Sequence, residues 1–357
     1  AGYNRDLSAN EMKTVLLDTV YRVEELYWNL VFAGRNLEAK EQALRLAEDL
    51  LDKNKKMAEL GVLAEIEILS AEAEVASRRA EILEARALLE NSRDELHSTI
   101  GMGRKPEESG ILIRPGDEPR SEERAVDIDE TLRTALANRP DYVNTGIALK
   151  SRNLELGYAK NQMLPALNLN FQYWSPGLSG TQIIYRDNDP FTGDVIGLIP
   201  GAGADALKNA LEFSYRNWSL YLSLDIPLNA LLSRGAYTAA RMEQREARLL
   251  RLDLERQIGL EVTTAARTVS SSFQRIRATR FARELAEKKL AAEEKRQSAG
   301  LSTSYMVLQY QRDYTLALSM ELRALCDYNL ALARLEKTAG TSLQARQIEF
   351  SAEETAW

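Results

Sequence analysis

Moved along itself by 239 positions, the sequence repeats. Gly61 falls on Gly300 and Gly101 on Gly340, so the two glycines of each copy stand 40 positions apart. Leu69 meets Leu308, Leu83 meets Leu322, Leu96 meets Leu335 and Thr99 meets Thr338. Matches of Leu or Ala between helices are common, whereas paired glycines are not. Each copy reads as a long helix, a tight turn at glycine and a return helix. That pattern leaves little room for a compact mixed domain.

The helical segments carry coiled-coil seams. Leu30, Leu37, Leu44 and Leu51 recur every seventh residue before the first turn, and Leu318, Leu325 and Leu332 do so after the second. The stretch from about Asn229 to Ser298 reads as one continuous helix. At 1.5 Å per residue it predicts a rod of roughly 100 Å, where a globular helix averages about 11–12 residues. Gly101 fits a helix C-cap. Residues 102–126 are rich in Gly, Pro and charge and predict a linker. Asp127 or Asp129 suits the cap of a short helix ending at Asn138, and Pro140 with Asp141 suits the first turn of the next.

Composition excludes several functions. A net charge of −7 leaves no basic surface for nucleic acid. One Cys and one His remove most metal and thiol chemistry, and no phosphate loop or paired-carboxylate pattern occurs, so neither an enzyme nor a cofactor is expected. His97 is expected in solvent, Cys326 in a small packed position, and Tyr310, Tyr314 and Tyr328 in packing. The Glu and Arg residues from Glu72 to Arg93 are expected to pair along a solvated helix face.

Two segments break the helical pattern. In "YAKNQMLPALNLNFQYW" the chain turns at Pro165 into strict alternation: Leu167, Leu169, Phe171 and Tyr173 against Asn168, Asn170 and Gln172, ending at Trp174. In "NWSLYLSLDIPL" Trp218, Leu220, Leu222, Leu224 and Ile226 share one face, with Ser219, Ser223 and Asp225 opposite, and Pro227 closes the run. Each is about 9–11 residues, the length of a membrane strand, with aromatic residues near its ends. The intervening residues, rich in Gly and Asp, fit a long external loop. Two strands leave open edges in lipid, so other strands must complete a barrel. A soluble hairpin covering a small core is the competing reading.

Taken together, "NRPDYVNTGIALKSRNLELGYAKNQMLPALNLN", "YRNWSLYLSLDIPL", the duplicated "EIEILSAEAEVASRRAEILEA" and "YMVLQYQRDYTLALSMELRALCDYNLALARL", and the glycine-tipped hairpins resemble the TolC-like outer membrane factor family over essentially the whole chain. The resemblance implies a mainly α protomer: two long antiparallel coiled-coil hairpins of an α-barrel, carrying a two-stranded segment of an outer membrane β-barrel. It divides the chain into a first periplasmic hairpin (1–101), an equatorial linker and short helix (102–139), a helix to the barrel (140–164), a membrane hairpin with an external loop (165–228), a second coiled-coil hairpin (229–340) and an equatorial tail (341–357). In the 239 shift Ala1 aligns with Ala240, so a first strand pair is expected within about 100 residues upstream.

The function implied is a passive export duct of a tripartite efflux or type I secretion system. It would be a homotrimer in the outer membrane of a Gram-negative bacterium, its periplasmic helices reaching an adaptor protein and an inner membrane pump. The hairpin tips, Leu60, Gly61, Val62 and Leu63 with Arg296, Ala299, Gly300, Leu301 and Ser302, are the docking residues by that resemblance. Glu67, with Glu65 beside it, takes the place of an acidic ring at the periplasmic entrance. A soluble coiled-coil scaffold or adaptor that binds partner helices is the alternative the same hairpins allow.

Overall fold

The computed structural model describes residues 2–102, 113–191, 193–226 and 230–349. Residues 103–112 of the expected linker, Pro227, Asn229 and the tail from 350 lie outside the described residues. The chain forms two compact units, residues 1–150 with 247–357, and residues 151–246.

The first unit is helical. Its hairpins are α1 (Gly2–Glu59) with α2 (Glu65–Ile100), and α6 (Ala230–Ser298) with α7 (Ser304–Thr338). Helix α1 packs on both α2 and α7, and α7 packs on α6 through Ala265, Val269, Ile276, Ala324, Tyr328 and Leu332. The inner helices α1 and α7 thus bury two faces each, and near the tips α2 also reaches α7, where Ala71, Val75, Leu290, Val307 and Leu308 share one cluster with Ala47 and Leu50. This double burial explains a departure from the heptad reading. Leu37, Leu44 and Leu51 are only half-buried, while Ala39, Ala43 and Ala47 occupy the deep positions of α1. Small residues let a helix approach neighbours on two sides at once.

All four repeat-paired glycines adopt left-handed backbone, with φ of 75° at Gly61, 74° at Gly101, 73° at Gly300 and 70° at Gly340. Each closes its helix with the same paired bonds. At the first tip the Gly61 N–H donates to the Ala58 carbonyl at 2.8 Å and the Val62 N–H to that of Met57 at 3.0 Å. At the second the Gly300 N–H donates to Gln297 at 3.0 Å and the Leu301 N–H to Arg296 at 2.9 Å. These satisfy orphan carbonyls of the last turn, and the positive φ is what glycine supplies at least cost.

Between the hairpins lie α3 (Ile128–Asn138) and the start of α4 (Pro140–Asn161). Asp127 caps α3, its carboxylate accepting the N–H groups of Asp129 at 2.9 Å and Glu130 at 3.1 Å. Residues 120–124 are stitched to α7. The Tyr328 hydroxyl donates to the Glu122 carbonyl at 2.7 Å and accepts from the Arg124 N–H at 3.2 Å, while the Asn329 amide bonds both backbone groups of Arg120. A short α8 (Ser342–Ala345) follows Gly340.

The second unit holds β1 (Ala166–Trp174) paired antiparallel with β4 (Asn217–Asp225). The segment between them is more than a loop. It folds into a second antiparallel pair, β2 (Gln182–Tyr185) with β3 (Val195–Ile199), and a helix, α5 (Gly203–Leu211). Short apolar runs, "QIIY" and "VIGLI", separated by turn-forming residues account for it.

Candidate functional site

The β1–β4 ribbon sorts its side chains by chemistry. The register sets Leu167 opposite Leu224, Leu169 opposite Leu222, Phe171 opposite Leu220 and Tyr173 opposite Trp218. The alternate pairs are Asn168 with Ser223, Asn170 with Tyr221 and Gln172 with Ser219. Because strand side chains alternate, all eight residues of the first set share one face. They are 48–69 % exposed. Burying side chains of this kind is worth about 1.5–3 kcal/mol each, so the face carries a drive on the order of 10–20 kcal/mol toward an apolar surrounding. Among the described residues only these two strands form the sheet, which leaves an unpaired edge on each. Trp174, opposite Asn217, falls by alternation on the face of Asn170 and Gln172, and Ile226, exposed, follows the end of β4. Tyr173 stacks on Phe213 at 5.6 Å between ring centres.

The two tips share a backbone and differ in side chains. Leu60 and Val62 project from the first, with Leu63 half-buried behind them. Ala299 and Leu301 project from the second. Ser302 is half-buried and donates its hydroxyl to the buried Glu293 carboxylate. Arg296 also binds Glu293, Nη1 to Oε2 at 3.1 Å, so its guanidinium is tied into the second tip. Glu293 repeats Asn54, which is buried in the first hairpin. The Asn54 Oδ1 accepts the Ser304 hydroxyl at 2.9 Å, and its Nδ2 donates to the Glu67 carbonyl at 3.4 Å, joining the beginnings of α2 and α7. Glu65 is exposed on the first turn of α2. Glu67 is half-buried, with Oε2 shielded and without a partner among the described residues, so it does not lie on an open solvated face.

Two sequence expectations need correction. Glu74 and Arg78 do pair at i,i+4, 2.8 Å apart, but both side chains are buried, and Glu74 also receives Arg312 Nε from α7 at 2.8 Å. Arg79 and Arg86 cross to Glu48 and Glu41 of α1 instead of running along α2. The flank of α2 lies against α1, which turns part of the helix-face pattern into links between helices, while Arg93 pairs with Glu90 along α2 at 2.7 Å as expected. His97 is half-buried with Nε2 shielded, because the last turn of α2 docks through Leu96 onto Leu26 and Leu30.

Cys326 is buried, and that burial pushes its thiol up to about 11, which makes it an inert packing residue. Tyr328 is fully buried against Phe273, and Tyr310 and Tyr314 pack on the cluster around Leu50 and Leu308. At the α3–α4 junction burial would raise the Asp141 carboxyl. The Arg139 guanidinium, 2.7 Å away, outweighs it and holds Asp141 below the usual range. No helix is long and apolar enough to cross a membrane, and no group of three metal-ligating side chains occurs among the described residues.

No protein-family model matches the chain, and no curated protein matches it. Solved structures do. The outer-membrane channel OprN superposes with a TM-score of 0.74 at 16% identity, covering 95% of this chain and 69% of that one. The MtrE outer membrane channel of Neisseria gonorrhoeae, in its open state, gives 0.67 at 18% identity, over 94% of this chain and 69% of that one. The outer membrane protein VceC of Vibrio cholerae gives 0.67 at 17% identity, over 95% of this chain and 76% of that one. The chain has the fold of these proteins.

Proposed function

We propose that this chain, built on the fold of TolC-like outer membrane channels, is the subunit of a passive export duct in the outer membrane of a Gram-negative bacterium. The observation that carries the proposal is the β1–β4 ribbon, with eight apolar or aromatic side chains on one face, mostly amide and hydroxyl side chains with Trp174 at the end on the other, and two open edges among the described residues. Water on both sides would leave that apolar face unpaid for, whereas lipid on one side and an aqueous lumen on the other suit both. Nine residues span about 30 Å as a strand, enough to cross the hydrocarbon at a tilt. Edges open on both sides call for strands from further copies, in a trimer by the resemblance.

Transport in such a duct needs no bond-making chemistry. It needs a wet lumen, a docking end and a closable entrance. Leu60, Val62 and Leu301 are the exposed apolar contacts at the glycine-turned tips, suited to a periplasmic adaptor that leads to an inner membrane pump. Arg296 and Ser302 shape the second tip through Glu293. Glu67 is the gate residue of the acidic pair: repeated around the axis, its carboxylate, whose Oε2 has no partner among the described residues, would repel its own copies when the entrance narrows and would favour cations when it opens.

The test is conductance. The full-length protein reconstituted in planar bilayers is expected to form ion-conducting pores, and Glu67→Gln is expected to lower their preference for cations. A preparation that stays soluble without detergent and leaves bilayers silent would sink the proposal.

A further inference from the structure

The segment between β1 and β4 carries two apolar surfaces, and both stay uncovered. The first is one face of the β2–β3 hairpin. The register sets Ile183 opposite Leu198 and Tyr185 opposite Val195, and alternation puts these four on one side. Ile183, Val195 and Leu198 are exposed, and the two strands join no larger sheet among the described residues. A two-stranded hairpin is marginal in water by itself, and one with a bare aliphatic face calls for a partner. The second surface is the outer side of α5. Leu207 is 63 % and Leu211 72 % exposed, and Lys208 lies on the same side of the helix.

Within the chain α5 is held by its opposite side. It lies so close to Gly177 that a Cβ there would come within 2.4 Å of the Ala206 carbonyl oxygen and 3.4 Å of the Ala210 Cβ. The Ser175 hydroxyl donates to the Asn209 carbonyl at 3.3 Å, and the Asn209 amide donates to the Leu178 carbonyl at 3.1 Å. Small residues and backbone bonds thus fix the helix with its leucines outward. Charge indicates what covers them. The hairpin tip, residues 186–194, holds Asp187, Asp189 and Asp194 against Arg186, an acidic end that suits neither anionic headgroups nor a second tip. Lys208, beside the leucines, and Arg216, five residues past the helix, are exposed and pair with no carboxylate among the described residues. An apolar face with an acidic end therefore complements an apolar side flanked by bases. The open edges of the β1–β4 ribbon already call for further copies beside this one.

We infer that the β2–β3 hairpin of one copy lies across α5 of a second copy of this chain, outside the membrane. Ile183, Val195 and Leu198 cover Leu207 and Leu211, and the aspartates of the tip face Lys208 and Arg216. The contact joins two different surfaces, so every copy in a closed ring gives one hairpin and receives one, and no apolar face stays bare. This goes beyond the duct reading and rests on it: the external segment is a clasp between copies, beyond the strands that cross the lipid.

The experiment is cross-linking of the full-length protein in bilayers. Copies carrying Leu198→Cys are assembled together with copies carrying Leu207→Cys and treated with a short bis-maleimide. Cys326, buried and with its thiol pushed up to about 11, stays unreactive. Because unlike surfaces meet, heterodimers on a denaturing gel are expected to exceed the homodimers of either variant alone roughly tenfold. Lys208→Glu in the receiving copy should cut the yield about threefold, the size of an exposed ion pair, and Asp187→Lys in the giving copy should restore it. Both cysteine positions are exposed, and unchanged circular dichroism checks the fold. Leu198→Cys copies that link mainly to one another would overturn the inference. So would quenching by brominated lipid of a fluorophore on Val195→Cys, which would put the hairpin on the membrane surface. Heterodimers in a protein that does not conduct would instead sink the duct reading and leave the clasp standing. Conduction without heterodimers would do the reverse.

Discussion

The two hairpins end identically in backbone and differently in what they bury. Gly61 and Gly300 close their turns with the same pair of bonds and nearly the same φ. Above the turns the chemistry diverges. The first hairpin buries Glu74 and Arg78 and takes in Arg312 from α7, where the equivalent positions Asp313, Ala317 and Ala73 hold no such cluster. In the second hairpin Glu321 of α7 binds Arg280 and Arg283 of α6, where the first has Ile82 with Glu41 and Leu44. The lesson is that duplication preserved the turn, which glycine alone can make cheaply. The buried polar links were left to tell one neighbour from another.

The comparison breaks most sharply at Glu74. Glu74→Gln removes the buried carboxylate that pairs with both Arg78 and Arg312, leaving Arg78 only the more exposed Glu81 at 3.5 Å. It should cost about 3 kcal/mol, while Asp313→Asn at the exposed equivalent should cost under about 0.5 kcal/mol. Denaturation of the helical unit followed by circular dichroism gives both numbers.

Gly340→Ala tests the outer glycines. A Cβ there meets the Asn138 carbonyl carbon at 3.1 Å as well as an unfavourable φ, whereas at Gly101 the space is open. A left-handed residue other than glycine costs about 1–2 kcal/mol. Gly101→Ala should show that alone, and Gly340→Ala should exceed it by about 1 kcal/mol for the crowding at α3. Equal losses would mean that the second repeat is not held against α3 as described.

Tyr328→Phe removes both bonds to residues 122 and 124 and should cost about 1–3 kcal/mol. It should also speed amide exchange in residues 120–124, an effect with no parallel at Leu89, its equivalent in the first hairpin. The smallest effect concerns the caps. Thr303 accepts the Met306 N–H at 3.3 Å, and its equivalent Ala64 caps nothing. Thr303→Ala should lose about 1 kcal/mol, and Ala64→Thr should gain up to about that amount.

Much of this architecture was legible in the residues. The repeat placed four glycines that all prove left-handed, and the alternation from Leu167 to Tyr173 anticipated one apolar strand face. Other features escaped because their signals are short or depend on neighbours. The β2–β3 pair and α5 sit in a stretch whose Gly and Asp content reads as loop, and strands of four and five residues barely register as periodic. Nothing within α2 separates the buried Glu74 from the exposed Glu72, since burial of the former depends on α7, more than 200 residues on. The link from Arg296 to Glu293 escaped for the same reason, since burial of Glu293 depends on the packed tip.

The central claim is that one face of β1 meets lipid and the other meets water. Spin labels placed singly from Leu167 to Trp174 in the full-length protein in bilayers measure this directly, through collision with oxygen, which is concentrated in lipid, and with a water-soluble nickel chelate. The account predicts a two-residue alternation, with oxygen favoured at positions 167, 169, 171 and 173 and nickel at 168, 170 and 172. Uniform nickel access along the strand, or uniform exclusion of both probes, would contradict it.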